Sequence, residues 1–250
     1  MENSLEQFHV RLALLQDENR RVQCVFDEAE VYMSHGIAIS RCLRKVMHDC
    51  HINEEADKLD SAASILSKYN TRENYREYEV SSNIIFKEMF DAWGQNYEKL
   101  HIAKEAFYGF FQANAACFDD TADTLEALSS KGILLGFLSD AAYGMDNEYL
   151  LKDIEEIRHY FAVGFTSVDV GFRKPNPQGF KMLSEALGAA PSQIMFVGDE
   201  EKDVVGANNF GMISVLVNKS SDEKNWGQHY TVKNLSEIVD FIRACLISRF

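Results

Sequence analysis

Three aspartates, Asp27, Asp199 and Asp203, stand at or just past the ends of short apolar runs, accompanied by one hydroxyl, Ser139, and one ammonium, Lys174. Oxygen donors of this kind suit Mg2+, which takes one or two protein carboxylates and fills its other positions with water. Ser139 closes the apolar run that starts at Ile133 and can donate a hydrogen bond to an anion. Lys174 lies in Gly171-Phe172-Arg173-Lys174-Pro175-Asn176-Pro177, where two prolines fix a turn and the ammonium can offset phosphate charge. Each residue also has a plain structural reading. An Asp at a strand end often caps a helix, Ser139-Asp140 can cap the next helix, and Arg173-Lys174 can be a solvated loop. As an ordered set, each at the end of a predicted strand, they describe a site for an anion and a metal.

The elements that must position them follow from periodicity. Val22 to Asp27 reads as a strand, preceded by an amphipathic helix over residues 1–21 with Leu5, Phe8, Leu12 and Leu15 on one face. From Val31 to about Ala116 the pattern is helical throughout, with Gly36 and Gly94 as interruptions and no convincing strand. The rhythm then alternates. Thr121 to Ser130, Pro177 to Leu187, Lys202 to Asn209 and Leu235 to Leu246 read as helices. Ile133 to Ser139, Phe161 to Val168, Gln193 to Gly198 and Ile213 to Asn218 read as strands. One strand isolated before a helical bundle could not bury its faces, so it must join the later strands, which makes the bundle an insertion. The expected fold is α/β, a doubly wound Rossmann-like parallel sheet with an inserted all-helical cap. Residues 1–31 and 117–250 form the core domain and residues 32–116 the cap.

Composition narrows the class. At 250 residues, 46% hydrophobic, the chain is long enough for one sizeable core with a smaller insert. The apolar runs are far shorter than the roughly 20 residues that span a bilayer, and the N-terminus lacks a signal-peptide pattern. Cys24, Cys42, Cys50, Cys117 and Cys245 are odd in number and include no Cys-x-x-Cys pair, which suggests free thiols in a cytoplasmic protein. A net charge of -14 opposes nucleic acid and anionic membrane as partners. It would also repel a phosphorylated substrate unless a metal and a local lysine reversed the field. The expected partner is a small molecule, and the chain a monomer or homodimer.

Four segments resemble, in order, the motifs of the haloacid-dehalogenase-like hydrolase superfamily: Phe26-Asp27, Phe137-Leu138-Ser139-Asp140, Gly171-Phe172-Arg173-Lys174-Pro175, and Val197-Gly198-Asp199-Glu200-Glu201-Lys202-Asp203. The resemblance implies that Asp27 is a nucleophile forming a covalent aspartyl intermediate. Ser139, Asp140 and Lys174 would bind the transferring group. Asp27, the Ala29 carbonyl, Asp199 and Asp203 would hold Mg2+, and the helical insert would be a mobile cap.

The first motif departs from the family at Ala29, where its phosphatases carry an Asp that protonates the leaving oxygen and activates water. Assistance of that kind is worth about 100-fold to 10,000-fold. Glu30 and Val31 replace the usual Gly and Thr. Glu28 or Glu30 is an ill-placed substitute. The phosphonate-cleaving branch carries Ala at the position of Ala29 and uses a cap lysine, but Lys45 reads better as a surface residue. The expected function is a Mg2+-dependent hydrolase of a small phosphorylated or activated metabolite, with weakened phosphatase activity. The alternative is a catalytically degraded relative that binds a ligand or protein.

Among other candidates, His35, His48 and His51 read as surface histidines rather than a metal cluster. Tyr69, Tyr75 and Tyr78, with Phe90, Trp93 and Phe107 to Phe111, read as the core of the helical insert.

Overall fold

The computed structural model describes residues 23–26, 37–113 and 119–247. Six strands form one sheet: β1 (Gln23–Phe26), β2 (Leu135–Ser139), β3 (Phe161–Thr166), β4 (Ile194–Gly198), β5 (Ile213–Val217) and β6 (Tyr230–Val232). Their order is β3-β2-β1-β4-β5-β6, and every neighbouring pair is parallel. The chain therefore winds outward from β1 in both directions, and the order reverses where β2 and β4 flank it. Ligands of such sheets sit outside the strands' carboxyl ends at that reversal.

Among the described residues, four α-helices lie between β1 and the next sheet-covering helix: α1 (Ile37–Asp49), α2 (Ala56–Tyr69), α3 (Ser82–Ala92) and α4 (Leu100–Gln112). The rest of the chain adds α5 (Thr121–Ser129), α6 (Asn147–Asp153), α7 (Ser167–Val170), α8 (Pro177–Leu187), α9 (Glu201–Phe210) and α10 (Ser236–Ile247). No described helix is long and apolar enough to cross a membrane.

Alternation along the central strands accounts for the double winding. Leu135 and Phe137 of β2, with Met195 and Val197 of β4, pack among Leu125 and Leu128 of α5 and Ile238 and Val239 of α10. Leu138, Ile194 and Phe196 point the other way, onto Phe180 and Leu183 of α8 and Ala207 of α9. A strand whose successive side chains are all apolar can bury both faces only beneath helices on both sides.

Some boundaries differ from the sequence reading. The third strand stops at Thr166, because Thr166 and Asp169 form a reciprocal capping box that turns the chain into α7. The short elements β6 and α6 carry too few residues to show a period. Val22, Asp27, the helix expected over residues 1–21, and the expected domain boundaries at 31–32 and 116–117 fall outside the described residues.

The helical insert has an aromatic interior. Phe86 meets Phe107 edge-on at 5.4 Å, and Phe107 in turn meets Tyr108 at 5.4 Å. Phe90, Trp93 and Phe111 are buried with them, whereas Tyr69 is half-buried. Tyr75 and Tyr78 correct the expectation, being 66% and 58% exposed. They lie on the connection between α2 and α3, which is not helical but an extended strap along the sheet domain. Glu79 N–H donates to the Gly171 carbonyl at 2.9 Å and Arg173 N–H to the Glu77 carbonyl at 2.7 Å, around an antiparallel Tyr78–Phe172 bridge. A period of 3.6 cannot survive in a segment whose backbone bonds go elsewhere.

Candidate functional site

Ser139, the last residue of β2, is buried, and Asp140 follows it. Asp140 Oδ1 accepts the Lys174 N–H at 3.1 Å, and its Oδ2 lies 3.1 Å from Lys202 Nζ. Burial pushes the Asp140 carboxyl up, but Lys174, Lys202 and Arg173 outweigh it and hold the group below its usual range. Its side chain thus ties the β2 end to the Lys174 turn and to α9.

Lys174 reaches the site from that turn. Its ammonium sits 2.9 Å from Asp203 Oδ1 and donates to the Leu138 carbonyl at 3.2 Å, with the Lys174 and Asp203 side chains 2% and 1% exposed. Asp203 Oδ2 accepts the Glu200 N–H at 3.0 Å within the capping box that begins α9. Oδ2 of Asp203 is therefore hydrogen-bonded, while the buried Oδ1 has no hydrogen bond among the described residues and meets the Lys174 ammonium as an ion pair.

Two glycines allow this approach. A Cβ on Gly198 would lie 2.6 Å from Asp203 Cβ and Oδ2, so any larger residue would displace the carboxylate. A Cβ on Gly206 would run into the Phe180 ring and crowd the Pro175 backbone. With glycine there, α9 settles directly onto the turn that carries Lys174.

Asp199 follows β4 directly. Burial raises its carboxyl above the usual range, and Asp203 and Glu200 raise it further against the opposing pull of Lys174. Glu200 is also pushed up by burial, yet Lys202 at 2.5 Å, Arg72 at 3.5 Å and Lys174 outweigh it and bring it below normal. Three acids thus crowd one end of β4, an excess of negative charge that, with burial, disfavours the ionised form of Asp199. That excess and its hard oxygen donors fit a Mg2+ ion. Among the described residues no group of three His, Cys, Asp or Glu side chains could hold a metal by itself.

Asp27 and Ala29, the other expected ligands, and Glu28 and Glu30 lie outside the described residues, as does His35. The register does describe Phe26, which pairs with Phe137 of β2 and Val197 of β4. Ser139 and Asp199 are each two residues beyond those partners, on the two strands that flank β1. Lys45 pairs with Asp49 at 2.7 Å one turn along α1, half-exposed. His48 and His51 are exposed as well.

Sequence reasoning missed the groups that join the helical insert to this edge. Arg72 reaches Glu200, and Tyr75 is close enough to Asp140 for that charge to help raise its hydroxyl, after burial and Glu77. Glu79 accepts from Arg173 and from Ser167, each at 2.5 Å. Arg173 and Lys202 had a local signal, since they lie inside the segments that resemble the third and fourth motifs. The others are far in sequence from what they touch.

The sequence profile of the family described as haloacid dehalogenase-like hydrolase matches residues 37–211, a stretch that contains Ser139, Lys174, Asp199 and Asp203. The chain belongs to that family. Proteins similar to it include the glyceraldehyde 3-phosphate phosphatase of Methanothermobacter thermautotrophicus, 36% identical over 107 residues, 42% of this chain and 46% of that protein. The phosphoglycolate phosphatase of Escherichia coli K12 is 31% identical over 122 residues, covering 47% and 48%. The chain thus matches about half the length of these curated relatives. Its fold is shared with an HAD phosphatase from Thermococcus onnurineus, at a TM-score of 0.61 and 24% identity over 88% of this chain and 97% of that one. A 2-haloacid dehalogenase from Pseudomonas syringae pv. Tomato DC3000 gives 0.65 at 20% identity, over 89% and 99%.

Proposed function

We propose that this haloacid dehalogenase-like hydrolase is a Mg2+-dependent phosphomonoesterase for a small metabolite, working through Asp27 as nucleophile and slowed by Ala29. The observation that carries the reading is the buried chain of Asp140, Lys174 and Asp203 linking the ends of β2 and β4, with Ser139 and Asp199 at those ends. Similarity to phosphatases acting on glyceraldehyde 3-phosphate and phosphoglycolate supports a small phosphorylated substrate.

In this reading the Asp27 carboxylate attacks phosphorus, the P–O bond to the leaving alcohol breaks, and an aspartyl phosphate forms. Lys174 and Ser139 hold the phosphoryl oxygens, where the ammonium offsets charge that the acidic chain would otherwise repel. Asp203 positions Lys174 and would support a cation directly or through water. Asp199 would hold Mg2+ with Asp27 and the Ala29 carbonyl. Mg2+ supplies charge neutralisation at the phosphoryl oxygens and alignment of the nucleophile. The departing alkoxide must take its proton from water, and the water that opens the aspartyl phosphate has no side-chain base at Ala29. Both steps slow accordingly. Residues 32–116 act as the cap that excludes bulk water, and the enzyme works in the cytoplasm.

Steady-state hydrolysis of a panel of small phosphate esters with and without Mg2+ tests the proposal. Slow, Mg2+-dependent release that disappears in Asp27→Asn is expected. Release that survives in Asp27→Asn would overturn it. The same absence at Ala29 favours a second reading, a non-catalytic binding module, which predicts ligand binding with no release from any ester.

A further inference from the structure

One buried carboxylate of the helical insert is bonded into the sheet domain beside the site, and the proposed chemistry gives it no part. Glu79 lies on the strap between α2 and α3, with its side chain 4% exposed. Its Oε2 accepts from two groups of the sheet domain, Arg173 Nη1 and Ser167 Oγ. Each of those groups makes a second bond, and both second bonds end on one residue. Arg173 Nη1 donates to the Ala141 carbonyl at 2.7 Å, and Ser167 Oγ accepts the Ala141 N–H at 2.8 Å. The bonds therefore close a ring that runs from Glu79 through Arg173, Ala141 and Ser167 back to Glu79. Ala141 and Ser167 are wholly buried, so a bond lost there leaves a polar group unpaired in the interior.

The ring grips both segments that carry the anion-binding residues. Ala141 stands two residues past Ser139, Arg173 directly precedes Lys174, and between them Asp140 Oδ1 accepts the Lys174 N–H at 3.1 Å. A carboxylate only accepts, whereas a hydroxyl has a single proton to give. With that proton committed to Glu79, the Ser167 oxygen is left to receive the Ala141 N–H, so Glu79 sets the sense of every bond in the ring. The insert also holds the chain beyond Ala141. Tyr108 Oη donates to the Tyr143 carbonyl at 2.9 Å, and Lys104 Nζ lies 2.9 Å from Asp146, which accepts from Ser82 Oγ as well. A Cβ on Gly144 would stand 2.0 Å from the Val80 carbonyl.

We propose that Glu79 is a positioning residue for the anion half of the site: by fixing Ala141 and Arg173 it sets where Ser139 and Lys174 stand. The insert then helps to build the phosphate site as well as cover it. This rests on the phosphomonoesterase reading, in which Ser139 and Lys174 hold the phosphoryl oxygens, and deepens it. The metal half is built on Asp199 at the end of β4, which has no member in the ring, so the two halves should respond differently to its loss.

Calorimetry with inorganic phosphate and, separately, with Mg2+ tests it. Glu79→Gln keeps the shape of the side chain but turns one acceptor into a donor. Its phosphate affinity in Mg2+ should fall about ten-fold or more, the scale of a lost charge-assisted hydrogen bond, while its Mg2+ affinity without phosphate stays near the wild-type value. Ser167→Ala should weaken phosphate binding in the same selective way. The double variant should lose less than the two single losses multiplied, because a ring opened once is open for both. A Glu79→Gln protein that binds phosphate as wild type does overturns the proposal, as does a parallel loss of phosphate and Mg2+ affinity, which would mark Glu79 as a stability residue only. Glu79→Gln also removes the carboxylate that Arg76 and Arg173 share. Should it not fold, Ser167→Ala decides by the same comparison of the two affinities. Wild type that fails to bind either probe would instead strike the phosphomonoesterase reading itself, and this inference with it.

Discussion

Lys174 and Asp203 form an ion pair at 2.9 Å that is almost wholly closed to solvent, yet one partner comes from the turn before α8 and the other from the first turn of α9. Removing one member of such a pair leaves a bare charge in the interior, which costs about 3–5 kcal/mol. Asp203→Ala and Lys174→Met should each unfold at markedly lower urea. The double variant Lys174→Met/Asp203→Leu should lose less than the sum of the two. Additive losses in chemical denaturation would show that the pair is not coupled.

Gly198→Ala should disturb the same pair without touching either charge. Its methyl group would collide with the Asp203 carboxylate, and overpacking of this kind costs about 1–3 kcal/mol. The expected result is a lower melting temperature together with weaker inhibition by inorganic phosphate, since Lys174 loses its anchor.

Asp199 predicts a pH dependence in metal-free protein. Its folded pKa is raised by burial and by Asp203 and Glu200. The stability it contributes is therefore fully present below its unfolded value and is lost as pH rises through the folded one. Asp199→Asn should remove that dependence and melt higher than wild type at neutral pH, by about 2–4 °C for each kcal/mol recovered. Adding Mg2+ should reverse the order. At 100 times its Kd the ion would stabilise wild type by about 2.7 kcal/mol and leave the Asn variant nearly unchanged.

Ala29→Asp should raise phosphate-ester turnover by about ten-fold or more, because it restores a side-chain acid and base at the first motif. Glu30→Gly and Val31→Thr belong in the same set of variants, since the new carboxylate must be aimed by its neighbours. A triple variant as slow as wild type across the ester panel would favour the binding-module reading.

The sheet is legible in the sequence because its strands are continuous apolar runs that end in polar, chemistry-bearing residues. Ile194 to Gly198 shows this plainly: four apolar residues, then a glycine, then Asp199. The same runs make Ser139, Lys174, Asp199 and Asp203 visible as a set. Hidden is the division of labour among them, because it depends on distances. Asp203, read from the sequence as a metal ligand, also pairs with Lys174 and caps the α9 N-terminus. Asp140, grouped by motif with the phosphate binders, also meets Lys174 and Lys202. The strap from residue 70 to 81 reads as helix because it is rich in Glu, Arg and Tyr. Its backbone partners lie about ninety residues away at Gly171 and Arg173, and local pattern carries no trace of them.

That strap bears on how the insert can move. Residues 77–79 are fastened by backbone hydrogen bonds to the segment that leads into Lys174, so they travel with the sheet. A swing of all four insert helices as one body would have to break those bonds. The four helices also share one core, α1 packing chiefly on α4 and α2 on α3, so they cannot part from one another without breaking it.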